Sequence, residues 1–337
     1  MPVRRNELRD EPILDPDLPI IDAHHHLITR PVTYMAGEFL ADVTAGHDIR
    51  ASVYVETRAF ERTTGPEALR PLGEVEFANG IGAMTATGAF GACHVAAGIV
   101  GFADMRLGAD IAPLLDRCLA TAPERFRGVR QVLLQFDESR EFPTVIGSRP
   151  PSGVMESDGF LPALKELEKR GLSFDVAVFH YDLPKLCRMA DAMPGMSFVL
   201  NHAGIAAGFQ QTPEERAATF RDWRRELREV ARRPNVLCKI GGLGMPHWGF
   251  DYSGHEGPVG HLTLAANWAP YVETAIECFG AGRCMMESNF PPDGRSSGYV
   301  PLWNALKHIT RNAGADERAA LFYGTARRVY RLDVDIA

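Results

Sequence analysis

The sequence lacks several features that would assign the chain to other classes of protein. Its six cysteines include no CxxC pair. It has fewer Lys and Arg residues (36) than Asp and Glu residues (43), so its net charge is -7. Scattered cysteines indicate a reduced, cytoplasmic protein. The acidic balance argues against nucleic acid as a main partner, because phosphate binding needs a concentrated basic surface.

The sequence also lacks a clear signal for secretion or membrane insertion. Residues 1–18 are charged and rich in proline, without the apolar core of a signal peptide, and we predict an N-terminal arm there. The charge-free stretch 81–102 is long enough to span a bilayer, but it is interrupted by Gly82, Gly88, Gly91, Gly98 and Gly101. We interpret it as a helix end, a turn and a buried strand, and we expect no membrane partner.

Short apolar or β-branched runs alternate with amphipathic stretches along the whole chain, a pattern typical of a parallel α/β sheet. The eight predicted strands are 19–26, 51–56, 94–104, 126–134, 173–179, 197–203, 236–242 and 284–290. Polar residues end most of these strands, which favours a single (β/α)8 TIM barrel over a doubly wound sheet. We therefore predict one α/β barrel domain over residues 1–337.

Two long connections are predicted to cover the C-terminal face of this barrel, at 135–159 and 243–264. Loops of this length inside a compact domain are usually functional or disordered. The second contains Trp248, Tyr252 and His255, which could close over a ring-shaped substrate or could pack the loop down.

The strongest chemical signal is the pair His24 and His26 at the end of the first predicted strand. Side chains at i and i+2 of a strand point to the same face, so the two histidines can share one metal ion or one substrate group. The alternative is a pair of structural histidines satisfied by hydrogen bonds. His25 should face the other way and be structural.

Two more histidines, His180 and His202, end the fifth and sixth predicted strands. A single histidine at a strand end is more often structural than catalytic. In a barrel, however, both would converge on the rim that carries His24 and His26.

With these positions, the motifs DAHHH at 22–26, NHAG at 201–204, CKIGGLGM at 238–245 and ESNFPPD at 287–293 resemble the amidohydrolase superfamily. More narrowly, the chain resembles the amidohydrolase-related branch, which includes sugar-acid lactonases, pyrone dicarboxylate lactonase and sulfomuconolactone hydrolase. A neighbouring branch with similar motifs contains decarboxylases of aromatic and muconate-type acids. The resemblance extends from Ile20 to about Tyr330.

The resemblance implies a metal held by His24, His26 and His180, with His202 near the metal or the substrate. The last ligand of the family, an aspartate that also activates water, falls on Asn289. An amide can offer its carbonyl oxygen to a metal but cannot accept a proton at neutral pH. Zinc suits a nitrogen-dominated site best, manganese is the alternative, and the loss of the aspartate leaves a metal-free enzyme open.

Glu287, two residues before Asn289, is a candidate to replace the missing carboxylate. A carboxylate inside a barrel is costly unless it is paired, and Lys239 on the neighbouring strand is one candidate partner. The other hypothesis makes Glu287 a proton acceptor, with Glu56 at the end of the second strand as its rival.

Several cations suggest that the substrate carries a carboxylate, since the planar fork of arginine matches a carboxylate group. The candidates are Arg58, Arg130, Lys239 and Arg295. Each could instead form a structural ion pair.

The leading hypothesis is a hydrolase that opens a lactone, or a similar cyclic ester of a small carboxylated acid, with His202 or Glu287 handling the proton of the attacking water. Non-oxidative decarboxylation of an aromatic or muconate-type acid is a second hypothesis. A non-catalytic ligand-binding barrel is a third, because function follows sites and not folds. Whether the chain forms a homo-oligomer stays open.

Overall fold

Eight parallel strands follow one another in chain order around a barrel, in a computed structural model that describes residues 11–136, 150–250, 252 and 259–336. The strands are β1 (Ile20–His25), β2 (Ile49–Val55), β3 (His94–Phe102), β4 (Phe126–Val132), β5 (Ser173–Ala177), β6 (Phe198–Leu200), β7 (Val236–Ile240) and β8 (Cys284–Met286). The predicted (β/α)8 architecture is confirmed.

Helices connect successive strands and cover the outside of the barrel. They are α1 (Ala36–Val43), α2 (Leu72–Thr85), α3 (Ala112–Thr121), α4 (Phe160–Lys169), α5 (Leu183–Ala192), α6 (Pro213–Ala231), α7 (His261–Phe279), α8 (Tyr299–Ile309), α9 (Ala315–Ala319) and α10 (Thr325–Val329). Helix α6 begins with a capping box that its sequence specifies. Pro213 occupies the first turn, the Thr212 hydroxyl accepts from Glu215 N, and the Glu215 side chain accepts from Thr212 N.

The barrel closes between β8 and β1 through the segment that follows β8. Phe290 O accepts from His26 N at 2.7 Å, and His24 O accepts from Asn289 N at 2.8 Å. Next to this seam, the buried Asp22 carboxylate accepts from the Ser288 amide at 2.8 Å and from the Ser288 hydroxyl at 2.6 Å. These bonds fix the β8 segment against the histidines of β1.

Apolar side chains fill both sides of the barrel wall. The larger cluster packs strands against helices, and a smaller one fills the interior, where Ile21, Val53 and Met285 meet Tyr330 and Leu332 of the C-terminal segment. Such packing leaves most polar groups to the C-terminal rim, apart from buried Lys239 and Asp175 in the interior.

The structure confirms one expectation about local structure and contradicts two. The charge-free stretch 81–102 holds the end of α2 and all of β3, as predicted, and no helix among the described residues is long and apolar enough to cross a membrane. The predicted extension of the sixth strand to 203 and of the eighth to 290 is wrong. The backbone turns left-handed at His202 (φ 52°) and Asn289 (φ 50°), which ends strand geometry.

The two predicted covering loops are only partly within the described residues. Positions 137–149, 251 and 253–258, with His255 among them, lie outside. Residues 150–159 contain no helix or strand, as expected for a loop, whereas the second loop ends earlier than predicted because α7 begins at His261.

Candidate active site at the C-terminal ends of the strands

The two predicted histidines of β1 meet above the barrel interior. His24 Nε2 lies 3.0 Å from His26 Nε2, and both side chains are buried. Burial first, and then the Lys239 charge for His24 and the Arg130 charge for His26, hold the pKa of each imidazole well below 6.5. Both rings are therefore neutral at pH 7. His25 points outward, where its ring stacks on Phe39 at 4.0 Å.

Glu287 joins His24 to His202. Its Oε1 lies 2.5 Å from His202 Nδ1 and its Oε2 lies 2.9 Å from His24 Nδ1. The carboxylate has no exposed surface, while His202 keeps 5% of its surface open. A buried carboxylate needs partners of this kind, and here the imidazoles of His24 on β1 and of His202 just after β6 supply them.

Two glycines in the loop after β7 allow this close packing. A Cβ atom on Gly241 would lie 2.3 Å from Glu287 Cγ, and one on Gly242 would lie 2.5 Å from His202 Nδ1. Gly242 also has a left-handed backbone (φ 66°), which glycine adopts without strain. The glycine pair within CKIGGLGM is therefore required by the side chains that it faces.

Arg130 of β4 lies on the other side of the histidine pair. Its Nε donates to Glu56 Oε1 at 2.8 Å and its Nη2 to Glu56 O at 2.7 Å, while Nη1 lies 3.2 Å from His24 Nε2. The guanidinium is therefore fixed by Glu56. Glu56, considered above as a rival proton acceptor, is the counter-ion of Arg130.

Lys239 does not pair with Glu287, and the predicted ion pair is wrong. Its Nζ lies 2.8 Å from Asp175 Oδ2 across the barrel interior. Lys239 is aligned with Met285, whereas Glu287 lies two residues nearer the rim. Asp175 also accepts from the Tyr330 hydroxyl and from Asn201 Nδ2, so this buried network supports the residue that precedes His202.

Among the described residues, His180 does not join the group of donor atoms that could hold a metal. His180 Nδ1 accepts from Ala207 N at 3.3 Å, and burial lowers the pKa of its ring, opposed in part by the Asp222 charge on α6. The Asn289 amide donates from Nδ2 to Asp293 Oδ1 at 2.9 Å. These bonds occupy Nδ1 of His180 and Nδ2 of Asn289.

Asp293 is a buried group that the sequence did not suggest. Besides the bond from Asn289, its Oδ2 accepts from Gly244 N at 3.0 Å, which ties the loop after β7 to the turn after β8. Burial, opposed in part by these hydrogen bonds, raises the pKa of Asp293 well above its usual value.

The other predicted substrate contacts lie on the rim or inside the loop packing. Arg58 is half exposed, pairs with Glu61 and lies over the Phe102 ring at 4.4 Å. Arg295 lies in the turn after β8, and burial lowers its pKa. Trp248 and Tyr252 are buried at 1% and 4% exposure and pack the loop after β7, which is the packing alternative stated for them above.

A metal has candidate ligands here, but not the predicted set. Donor atoms of His24, His202 and Glu287 lie within 4.8 Å of one another. Around tetrahedral zinc, nitrogen donors stand about 3.3 Å apart. The contacts of 2.5 and 2.9 Å from Glu287 to the two imidazoles are shorter, and the one to His202 is a hydrogen bond. The Arg130 cation also lies against His24 Nε2, so the residues present do not fit the predicted four-ligand centre.

A family model described as amidohydrolase matches residues 21–332. The chain belongs to this family. Among curated proteins, an uncharacterised protein, y4mH, of Sinorhizobium fredii is 33% identical over 304 residues, 89% of this chain and 86% of that protein. An L-fucono-1,5-lactonase of Burkholderia ambifaria is 30% identical over 247 residues, 70% of this chain and 71% of that enzyme.

Solved structures share the fold. An amidohydrolase from Burkholderia multivorans with bound HEPES has a TM-score of 0.68 at 23% identity, covering 93% of this chain and 99% of that one. A second structure with the same description, with bound zinc, has a TM-score of 0.66 at the same identity and coverage. Together with the lactonase relatives, family membership supports a hydrolase that acts on a small molecule.

Proposed function

We propose that this protein hydrolyses a lactone, with His202 as the general base that activates water and Glu287 as the residue that positions it. The observation that carries the proposal is the Glu287 carboxylate held between two imidazoles, 2.5 Å from His202 Nδ1. Sequence relatives named L-fucono-1,5-lactonase, at 30% and 27% identity, support the reaction class.

Exposure distinguishes the roles of the two residues. Glu287 has no exposed surface, whereas His202 keeps 5% of its surface open to solvent. A general base must lie within hydrogen-bond reach of the proton that it takes. His202 therefore contacts the water, and Glu287 accepts a hydrogen bond from Nδ1–H of His202, which leaves Nε2 unprotonated and able to act as the base.

The chemistry needs one proton to be moved twice. Water attacks the acyl carbon of the lactone while its proton goes to His202 Nε2, and Glu287 stabilises the imidazolium that forms. The ring C–O bond then breaks, and the same proton passes to the departing alkoxide oxygen. The product is the open hydroxy acid, and His202 returns to its neutral form.

The proposal does not require a carboxylate on the substrate. Arg130 is paired with Glu56 and Lys239 with Asp175, so the two buried cations already have counter-ions. A carboxylate on the substrate would meet Arg58 or Arg295 at the rim. A panel of neutral sugar lactones and carboxylated lactones distinguishes these substrate classes.

The test is the His202→Gln variant on that panel. General-base catalysis contributes about 10²–10⁴-fold, so kcat should fall by that factor with little change in KM. His308→Gln, a substitution of a partly buried histidine near the end of α8, is the control and should leave kcat unchanged. Full activity of His202→Gln would contradict the role of His202, and no turnover of any lactone by the wild type would contradict the function.

A further inference from the structure

The hydrogen-bond partners of His24 and His26 determine which nitrogens carry protons. His26 Nδ1 lies 2.8 Å from Val55 O, and a carbonyl oxygen can only accept, so the proton of His26 is on Nδ1. His24 Nε2 lies 3.2 Å from Arg130 Nη1, and a guanidinium can only donate, so this contact needs a lone pair on His24 Nε2. Both Nε2 atoms are then unprotonated.

Two unprotonated nitrogens facing each other at 3.0 Å repel unless a positive group lies beside them. Arg130 supplies that group, because its Nη1 lies 3.2 Å from His24 Nε2 and a guanidinium is always protonated. The alternative, a proton on His24 Nε2, would turn an N–H toward the Arg130 N–H and is disfavoured by the same contact.

The Arg130 guanidinium is held firmly, but not all of its N–H groups have a partner among the described residues. Glu56 fixes two of its N–H groups and His24 accepts a third. Arginine has five N–H donors. Within the part of the chain that the structure describes, two N–H groups of Arg130 therefore remain for a ligand, in a side chain that is 6% exposed.

From this geometry we infer that Arg130 is the electrophile of the site: its two remaining N–H groups bind the lactone carbonyl oxygen and stabilise the negative charge that forms there. The inference rests on the proposed lactone hydrolysis. Fixed donors aimed at developing charge are an effective form of catalysis, since they need no reorganisation during the reaction. Glu56 is the positioning residue that holds the guanidinium.

The same geometry predicts competition between Arg130 and a divalent metal. A metal bound by His24 Nε2 and His26 Nε2 would take the nitrogen that faces Arg130 Nη1 and would place a like charge beside the guanidinium. Removal of the guanidinium should therefore improve metal binding while it lowers catalysis. A purely structural Arg130 would not link these two effects.

The test uses chelator-treated full-length protein and zinc chloride, with calorimetric titration as the first measurement. Arg130→Met combined with Glu56→Gln removes the cation together with its counter-ion, so that no charged side chain is left unpaired. We expect this double variant to bind zinc at least about tenfold more tightly than the wild type. Arg130→Lys, which keeps the charge, is the matched variant and should bind zinc no more tightly than the wild type.

The second measurement is turnover of a lactone by the chelator-treated proteins. Loss of oxyanion donors typically costs about 10²–10³ in kcat, and we expect the double variant to lose this factor. Guanidinium ion at sub-denaturing concentration should restore part of the kcat of Arg130→Ala, which keeps Glu56 and leaves room for the ion, but not that of Glu287→Gln.

Two results would overturn the inference: zinc binding by the wild type that is as tight as that of the double variant, or wild-type turnover that is abolished by chelation and restored by zinc. If no protein hydrolyses any lactone, the proposed function fails, while the zinc titration still decides whether Arg130 excludes a metal.

Discussion

Replacement of Glu287 by glutamine removes the negative charge between His24 and His202 while it keeps the size of the side chain. The carboxylate lies 2.5 Å from His202 Nδ1, so it should stabilise the imidazolium that forms when His202 takes the proton of water. Opposite unit charges about 4 Å apart attract by about 4 kcal/mol at an effective dielectric constant of 20. This energy corresponds to a rate factor of about 10³.

We therefore expect Glu287→Gln to lower kcat by about 10³ with a much smaller change in KM. Initial rates of lactone opening, followed by acid release with a pH indicator, give both constants. Thermal unfolding of the same samples shows whether the fold is intact.

Glu74→Gln is the matched control, because Glu74 is a second buried glutamate that binds Tyr54 and Thr57 at 2.8 and 2.7 Å and not the histidines. Its substitution should reduce stability and leave kcat unchanged. The reasoning about Glu287 is refuted if folded Glu287→Gln keeps more than about a tenth of the wild-type kcat, since the charge would then contribute little over 1 kcal/mol.

Two further predictions concern other histidines. His180→Gln should keep wild-type activity within about threefold, a difference of under 1 kcal/mol, because the turn that contains His180 packs against α6. Steady-state kinetics check this prediction. A loss of several orders of magnitude would make His180 a metal ligand again. For His47, burial lowers the pKa to about 3. Below pH 6.5 the unfolded chain therefore binds a proton that the folded protein does not, and stability falls by about 1.4 kcal/mol per pH unit. Denaturant unfolding between about pH 6.5 and 4.5 should show a shallower loss for His47→Gln, and parallel curves would contradict the assignment.

Much of the fold could be predicted from the sequence because barrel units repeat one simple pattern. Each buried strand is a short apolar run, and each following helix has an apolar face that packs on it. The proximity of His24 and His26 could also be predicted, because side chains two residues apart on a strand point to the same face. Their Nε2 atoms lie 3.0 Å apart.

The backbone conformation just beyond the strand ends could not be predicted in the same way. His202 and Asn289 adopt left-handed backbone conformations (φ 52° and 50°), which nothing in their residue types demands. A change of this kind redirects a side chain, so Asn289 does not point as a residue of a continuous strand would. Asn289 instead donates to Asp293.

The charge partners depend on contacts across the barrel. Lys239 of β7 pairs with Asp175 of β5, which lies two strands away in the sheet order. Sequence reasoning considered the adjacent strand and therefore chose Glu287. The signal that was missed is Asp175 in the middle of the apolar strand β5, because a charged residue in such a position requires a buried counter-ion.

Hydrolysis of a lactone panel in ¹⁸O-labelled water, with mass spectrometry of the products, tests the central claim most directly. Attack of water on the acyl carbon predicts an open hydroxy acid that carries one labelled oxygen in its carboxylate, formed by the wild type and about 10²-fold or more slowly by His202→Gln. A product that has lost carbon dioxide from a carboxylated substrate, or the absence of any product across the panel, would contradict it.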